Sequence, residues 1–535
     1  MSNYETKTLD HHGLVAGFCE EIGLIDYIDQ QFPNQSVDKH LSYGQCLQAM
    51  ILNGLGYASQ TLYLQSDFFS DKPTERLLGE GIQAEHINDL VLGRSLDKFY
   101  EHGVSELYSG LSEQVINRLG IQVKGYHLDS SSFHADGAYD IETDEHCIQI
   151  VPGYSRDHRP ELNQAVLNLI TENQAGIPLY MKPASGNTSD KSGFEQIVKA
   201  HLSSLKSAHE NPYFVMDSAG YTQANLSFFH EQKRYLVSRV PAQIKAAKQL
   251  ISTVRLSQMT SLSNGYQGYW YDSDYGEVAQ KWLLVFSQQA FEREQKTLDK
   301  QILKQAEQTR KSFKKLKAQA FSCEADAKKA LQLWEKKQTY HQVSDVTISS
   351  VGRFHKAGKP PKDKPYDFYD YFIEGNLYTS INHRQKALQS KGRFIIATND
   401  ISDSLTMQEL LTIYKSQQKV ERGFRFLKSP EFLTSSFYLK KPERIEALLM
   451  VMTCYLLIYS GLEYKIRQQL KEKDLQFVDQ KKKPTQNPTT RWVFFTFTGI
   501  HLLNIESQHS LVLNLKDKHQ IIIEALGSPY RDYYS

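Results

Sequence analysis

The chain has 535 residues, of which 40% are hydrophobic, 23% are charged and 11% are aromatic, a composition typical of globular proteins. This length exceeds what one hydrophobic core usually organises, so we expect several domains. The formal net charge is +1, yet residues 1–120 hold 7 Lys+Arg against 17 Asp+Glu, a net −10, which leaves +11 for the remainder. A polyanion would therefore be attracted mainly to the chain after residue 120.

The five cysteines are scattered and form no Cys-x-x-Cys pair, which excludes the zinc sites and redox dithiols built on that motif. No basic leader followed by an apolar stretch opens the chain, and its longest apolar run, 447–459, falls short of the ~20 residues of a membrane span. We therefore predict a cytoplasmic protein without a membrane partner, in which this run is a buried core helix.

Residues 1–120 show apolar positions at helical spacing, such as Leu14, Phe18 and Ile22, and predict an all-helical N-terminal domain. This domain contains no cluster of catalytic residue types. Its net −10 is unsuited to general DNA binding, so we expect it to mediate mainly protein contacts.

Residues 121–241 read as short strands and helices that form the first part of an α/β core. Strands are predicted at 126–129, 164–171, 177–182, 213–216 and 235–240, the second and third as a hairpin around the turn NQAG. Asp129 and Asp217 each stand at the end of a strand, where sites form in open α/β sheets. The order of elements predicts a ribonuclease H-like mixed sheet.

Residues 242–390 are predicted to be a large α+β insertion, with strands on either side of a charged helical stretch, 291–340, that holds 13 Lys+Arg and 7 Asp+Glu. This stretch is either a helical hairpin with a solvated face or, in addition, a surface that follows a phosphate backbone. The core returns over 391–470, where Pro442 begins a buried helix, and 471–535 form a C-terminal segment.

The sequence YKSQQKVERGFRFLK, 414–428, is predicted to form one helix. Its spacing puts Tyr414, Glu421, Arg425 and Lys428 on one face, and apolar residues including Leu427 on another. A carboxylate would thus stand beside cations on a helix anchored in a core.

Asp129, Asp217 and Glu421 together are the oxygen ligands that a pair of hard divalent cations needs, and phosphoryl transfer is the chemistry such pairs most often serve. Each residue also has a simpler interpretation. An aspartate at a strand end is usually a cap or turn residue, Tyr414 alone is a packed aromatic, and Lys428 alone is a solvated charge. Their joint occurrence favours the catalytic interpretation.

The chain resembles the bacterial insertion-sequence transposases of the DDE type with a Tyr-(2)-Arg-(3)-Glu-(6)-Lys motif. Tyr414, Glu421 and Lys428 match this motif in identity and spacing. Gln417 occupies the arginine position, so that cationic contact is either missing or supplied by Arg422 or Arg425; the resemblance implies that Gln417, Arg422 and Arg425 contact DNA. The segments GYSRDHRPELNQ, 153–164, and SGNTSD, 185–190, also resemble this family.

The resemblance implies a catalytic and metal-binding triad of Asp129, Asp217 and Glu421 that holds two Mg²⁺ ions, for which Mn²⁺ could substitute. It implies that Lys428 neutralises a DNA phosphate and that Tyr414 contacts a displaced base. The partners would be double-stranded DNA, as element ends and as target, and a second copy of the chain in a homodimer. A bacterial, nucleoid-associated enzyme is implied, whose N-terminal domain serves assembly or end recognition.

Several alternatives stay open. Arg156 and Arg159 are either a surface ion cluster or DNA contacts. His127 and His134 flank Asp129, but no second histidine cluster completes a zinc site, so a polar structural role is favoured. The function could also be that of a metal-dependent nuclease without strand transfer, or of a catalytically silent DNA-binding regulator.

Overall fold

The structure is a computed structural model. It describes residues 4–56, 64–123, 125–135, 139, 147–153, 159–188, 212–218, 220–355, 365–402, 404–417, 423, 425–428, 439–505 and 509–535.

The described residues form seventeen strands, which lie in one ten-stranded sheet, one three-stranded sheet and two two-stranded sheets. In chain order they are β1 (Tyr4–Thr8), β2 (Gly125–His134), β3 (Val151–Pro152), β4 (Asn163–Glu172), β5 (Pro178–Ser185), β6 (Tyr213–Met216), β7 (Leu236–Arg239), β8 (Thr260–Ser261), β9 (Tyr266–Ser273), β10 (Gln280–Ser287), β11 (His341–Arg353), β12 (Phe368–Thr379), β13 (Arg393–Thr398), β14 (Phe477–Val478), β15 (Pro484–Thr485), β16 (His501–Ile505) and β17 (His509–Leu513).

The described residues also form seventeen α-helices. In chain order they are α1 (His12–Glu21), α2 (Leu24–Gln31), α3 (Tyr43–Gly54), α4 (Gln65–Ser70), α5 (Thr74–Leu78), α6 (Asp89–His102), α7 (Val104–Leu119), α8 (Gln223–Glu231), α9 (Lys245–Thr253), α10 (Gln288–Lys317), α11 (Glu324–Glu335), α12 (Ile381–Leu388), α13 (Met407–Lys415), α14 (Pro442–Glu472), α15 (Thr490–Phe497), α16 (Asp517–Leu526) and α17 (Tyr530–Tyr533).

The central sheet has the predicted ribonuclease H-like topology. Its core order is β5-β4-β2-β6-β7, in which β4 is antiparallel to both β5 and β2, and β2, β6 and β7 are parallel. The hairpin β4–β5 forms around the predicted turn because apolar runs flank a polar, glycine-containing link. The fold class predicted from the sequence is therefore confirmed.

The two faces of this sheet are covered by different elements. One face contributes Tyr126, Leu128 and Phe214 to the main core, which includes the N-terminal helices and α14. The other face contributes Val215 and Val237 to a smaller cluster, which α13 covers. Because successive strand residues alternate between faces, His127 and the position of Asp129 share the face of Val215.

The predicted insertion begins by extending the same sheet. Strand β10 pairs with β13, and β9 and β8 follow at the edge. The chain then leaves the sheet as the antiparallel helices α10 and α11, which share a small core with the ribbon β11–β12 through Phe313, Leu331 and Ile373. The predicted domain boundaries stay a prediction.

The two ends of the described chain lie together. Strand β1, which adds to the predicted helices of the N-terminal region, pairs with β16 of the C-terminal segment. The buried Tyr530 lies against Gly17 of α1, where an added Cβ would be 2.9 Å from the tyrosine ring. Within the predicted C-terminal segment, the stretch 479–490 contributes to the short hairpin β14–β15.

Helix α14 contains the predicted buried apolar run and begins with Pro442 in its first turn. By length and composition it could cross a membrane, but 83% of its most apolar window is buried inside the protein. Its burial against α3, α6 and α7 identifies it as a core helix, which confirms the interpretation of the apolar run.

Candidate active site

Asp129 and Asp217 lie at the same level of neighbouring parallel strands. The register of β2 and β6 pairs Tyr126 with Phe214 and His127 with Val215. Two further residues along each chain lead to Asp129 and to Asp217, which directly follows β6. Neighbouring strands are about 4.8 Å apart, so two carboxylates at one level can share a hard divalent cation. The predicted proximity of these two positions is thus supported by the backbone.

Asp217 is exposed at the carboxyl end of β6 and is held by its own turn. Its Oδ1 accepts a hydrogen bond of 3.2 Å from the backbone N–H of Gly220. Its carbonyl oxygen accepts one of 2.9 Å from the Ser238 hydroxyl on β7. These bonds hold the carboxylate and the backbone that follows it while the residue stays accessible to solvent.

His127, on β2, connects the central sheet to the end of α13. It is fully buried, and its Nε2 lies 2.7 Å from the Ser416 Oγ. The Ser416 hydroxyl donates its single proton to the carbonyl oxygen of Ile413 at 2.6 Å. Oγ is therefore left to accept, and His127 Nε2 carries the donated proton. The structure thus gives His127 the polar structural role that the sequence favoured.

Lys428 contacts the same strand further along. Its Nζ lies 5.7 Å from the ring centroid of Phe133, a cation–π distance, and its side chain is partly exposed. Before it, Leu427 is buried, and Phe426 lies 4.1 Å from Tyr459 of α14 between ring centroids.

Ser416 and Lys428 therefore contact β2 on either side of Asp129. Their partners, His127 and Phe133, stand two residues before it and four residues after it.

The helix predicted over 414–428 is interrupted in the structure. Helix α13 ends at Lys415, Ser416 and Gln417 form a turn, and helical backbone is described again at 423 and at 425–427. Tyr414 is partly buried, with its ring centroid 6.2 Å from that of Phe394 on β13. Gln417 is buried, at 8% exposure. Tyr414 and Lys428 therefore do not stand on one described helix, and the DNA contacts predicted for Tyr414 and Gln417 stay predictions.

The remaining predicted residues divide into two groups. Arg425 is exposed, and Arg159 is exposed in a salt bridge with Glu161. Glu421, Arg422 and Arg156 lie outside the described residues, as does the side chain of Asp129. The predicted triad and its DNA contacts are therefore not tested. No group of three metal-ligating side chains occurs within the part of the chain whose side chains are described.

The two family-like segments at 153–164 and 185–190 meet through a pair of glycines. A Cβ at Gly153 would lie 1.9 Å from the carbonyl oxygen of Gly186. A Cβ at Gly186 would lie 2.2 Å from the carbonyl oxygens of Gln164 and Val151. The Gln164 amide also donates to the Gly186 carbonyl at 2.9 Å. This contact was not predicted from the sequence, although a glycine in each segment is typical of a position where another backbone approaches closely.

Comparison with protein families gives two matches. The family described as Transposase DDE domain matches residues 127–458, which is more than half of the chain. A domain of unknown function (DUF4277) matches residues 4–113. No curated protein matches the chain.

Among solved structures, the chain is similar to the cryo-EM structure of piggyBac transposase in a synaptic complex with hairpin DNA. The similarity covers 99% of this chain and 87% of that chain, at 8% sequence identity and a TM-score of 0.38. At this TM-score the likeness carries no argument about fold or function.

Proposed function

This chain belongs to the transposase DDE family, and from that premise we propose that it binds the terminal inverted repeats of an insertion sequence, cuts the DNA there and joins the ends to target DNA. The observation that supports this most directly is the register of β2 and β6, which brings Asp129 level with Asp217. Asp217 follows the end of β6, whereas Asp129 lies within β2, which continues to His134 beyond the strand end predicted from the sequence. In the proposal these two residues and Glu421 are the catalytic, metal-binding triad. Magnesium is the expected ion, with manganese as a substitute.

We include Glu421 in the proposed triad because residues on either side of it in the chain contact β2. Ser416 and Lys428, which stand before and after it in the chain, contact β2 at His127 and Phe133, and Asp129 lies between those two positions. Glu421 stands between Ser416 and Lys428 in the chain, as Asp129 stands between His127 and Phe133 on β2.

The carboxylates suit the proposed metal ions because Mg²⁺ prefers oxygen ligands and keeps several waters. When bound, the ions would activate a water or a DNA 3′-hydroxyl and stabilise the leaving oxygen of the phosphodiester. Asp217 stays accessible to solvent while its turn is fixed by Gly220 and Ser238. Lys428 and Arg425 would neutralise DNA phosphates, as would Arg422, Arg156 and Arg159 in the predicted set.

The proposed chemistry is tested with the full-length protein, DNA carrying the element ends, and Mg²⁺. We expect cuts that leave 3′-hydroxyl ends. The cleavage rate should fall by at least ~10³-fold in D129N, D217N and E421Q. These variants should keep the DNA affinity of the wild type. Glu231, exposed at the end of α8, provides the matched control E231Q, which should cut normally. No cleavage by the wild type with any divalent metal would contradict the proposal and favour a silent DNA-binding regulator.

Strand transfer is tested separately, because hydrolysis and transfer differ only in which hydroxyl attacks. A precleaved end is supplied with target DNA, and joined products support transposition. Cleavage without joining would assign a nuclease. A homodimer is proposed because two ends must be brought together, and sedimentation of the protein with end DNA would reveal it as a complex of two chains.

A further inference from the structure

The solvent face of α10 carries a continuous row of basic side chains. Helix α10 buries Leu298, Ile302, Thr309 and Phe313 on one side. At 100° per residue, seven basic residues fall within one arc of about 100° on the opposite side: Arg293, Lys296, Lys300, Lys304, Lys311, Lys314 and Lys315. All seven side chains are exposed. We call these seven residues the basic stripe.

The charge of the basic stripe is not neutralised within the described structure. Among the described residues, none of the seven is in a salt bridge, and Glu307 is the acidic residue that falls within the arc. Two other acids of α10 are engaged elsewhere. Asp299 pairs with Arg384 at 2.9 Å, and Glu294 accepts from the backbone N–H of Gly392 at 3.2 Å.

This pattern costs helix stability. Like charges four residues apart, as at 296 and 300, 300 and 304, and 311 and 315, each destabilise a helix by about 0.2–0.5 kcal/mol. The neighbouring helix α11 uses the opposite arrangement, with Lys328 paired to Glu324 four residues before it. A face that served only for solubility would gain from such alternation, so the unneutralised stripe indicates an anionic partner.

The stripe is fixed relative to the sheet that carries the aspartates. Helix α10 begins directly after Ser287, the last residue of β10, whose hydroxyl accepts from the Ala290 N–H at 3.3 Å. The bond from Gly392 to Glu294 joins the first part of α10 to the residue before β13. A ligand on the stripe would therefore be held at a set position relative to β13 and the strands paired to it.

We propose that the basic stripe binds the phosphate backbone of duplex DNA outside the site of chemistry, an inference that rests on the proposed function. The stripe runs from Arg293 to Lys315, 22 helical rises or about 33 Å, which is close to one turn of duplex DNA at about 34 Å. Lysines that contact phosphates position a duplex without reading its sequence. The acidic region 1–120 of a second copy is the competing partner, and the test separates the two.

The test uses the full-length protein and a random-sequence duplex of about 40 base pairs, without divalent metal. The stripe variant is K300Q/K304Q/K311Q/K315Q. The matched variant is K328Q/K329Q/K336Q/K337Q, which removes four exposed lysines at and just beyond α11 and so changes the net charge equally. Glutamine has nearly the helix propensity of lysine, and circular dichroism checks that both variants fold.

Affinity is measured by fluorescence anisotropy over a range of salt concentrations. We expect the stripe variant to bind about 10- to 100-fold more weakly at about 100 mM salt. The slope of log affinity against log salt concentration should also be smaller in magnitude by about two to four, because each phosphate contact contributes about 0.9 to it. The matched variant should stay within about twofold of the wild type. Equal affinities for the two variants, or wild-type affinity for the stripe variant, would overturn the inference.

Three further outcomes are distinct. Loss of self-association by the stripe variant in sedimentation without DNA, with DNA affinity unchanged, would overturn the inference in favour of the acidic region of a second copy. If the wild type cuts its ends while the stripe variant binds the duplex normally, the inference fails and the proposed function stands. If the stripe variant loses affinity but the wild type cuts no DNA, the inference stands and the proposed function fails.

Discussion

His127 on β2 and Ser416 at the end of α13 are joined by a hydrogen bond of 2.7 Å across 289 residues of sequence. The bond is buried at its histidine end and lies two residues from Asp129 on the strand and five residues from Glu421 in the chain. It therefore joins two of the three segments that supply the proposed carboxylates, those of Asp129 and Glu421.

Removal of the Ser416 hydroxyl should affect both stability and activity. In S416A the buried N–H of His127 loses its acceptor, which costs about 1–3 kcal/mol of unfolding free energy. If the bond positions the following segment, DNA cleavage should slow by about tenfold or more at temperatures where the variant is folded. Thermal unfolding and a cleavage time course measure the two effects.

The matched control is T412A, one turn earlier on α13. The Thr412 hydroxyl is exposed and bonds within its own helix, to the carbonyl oxygen of Gln408. This variant should unfold and cleave as the wild type does. Equal cleavage by S416A and wild type would show that the bond stabilises the fold without positioning the segment.

A second pair, Asp97 of α6 and Arg444 of α14, ties the N-terminal helices to the core helix. Arg444 donates to both carboxylate oxygens of Asp97, at 2.6 and 2.7 Å. The Arg444 hydrogen bonds lower the pKa of Asp97 below its ordinary 3.8. We expect D97N to lower the unfolding free energy by about 1 kcal/mol at neutral pH.

The pH dependence of this pair follows from the lowered pKa. A carboxyl whose pKa is lower in the folded state stabilises above its unfolded pKa, and that contribution is lost as the pH falls through the folded pKa. The difference in urea midpoint between wild type and D97N should be constant at neutral pH and shrink below about pH 4. The control E101Q breaks the exposed pair of Lys98 and Glu101 on α6 and should change little. A difference that persists at acid pH would contradict the role of the charge.

Glu446, two residues beyond Arg444, shows the opposite behaviour. Burial raises its pKa above the ordinary 4.5, against the hydrogen bond that its Oε1 accepts from the Ile148 N–H at 2.8 Å. Because the pKa is higher in the folded state, the carboxyl group loses its proton at a lower pH in the unfolded state. The residue therefore destabilises the fold increasingly as the pH rises above 4.5.

Replacement of Glu446 by glutamine should therefore stabilise the protein near neutral pH. The amide oxygen of E446Q can still accept from Ile148, and no charge is buried. Urea midpoints of the variant and wild type should coincide near pH 4 and diverge as the pH rises. A variant less stable than wild type at neutral pH would show that the ionised carboxylate is needed there.

The sequence predicted those features that depend on local patterns. The strands at 164–171 and 177–182 and the start of α14 at Pro442 followed from apolar runs, turn residues and the fixed φ of proline. The order of these elements also indicated the ribonuclease H-like sheet.

Features that depend on distant pairing were not predictable. The pairing of β1 with β16 joins residues near the two ends of the chain, and no local pattern specifies a partner so far away. The end of α13 was missed because the helical spacing continues through Ser416, whereas its hydroxyl is engaged by a histidine on another strand. Likewise, the strand character of β9 and β10 was visible, but their place beside β13 depends on tertiary packing.

The close approach of Gly153 and Gly186 provides the final prediction. In G186A the new methyl group would lie 2.2 Å from two backbone carbonyl oxygens, those of Gln164 and Val151. Backbone atoms cannot move aside as side chains do, so β3 and β4 would have to separate. We expect a loss of about 3 kcal/mol or more in unfolding free energy, with a lower thermal midpoint. The control G268A places its methyl 2.9 Å from the sulfur of Met407, a flexible side chain that can move, and should cost much less. Equal midpoints for the two variants would show that the strands separate easily at this point.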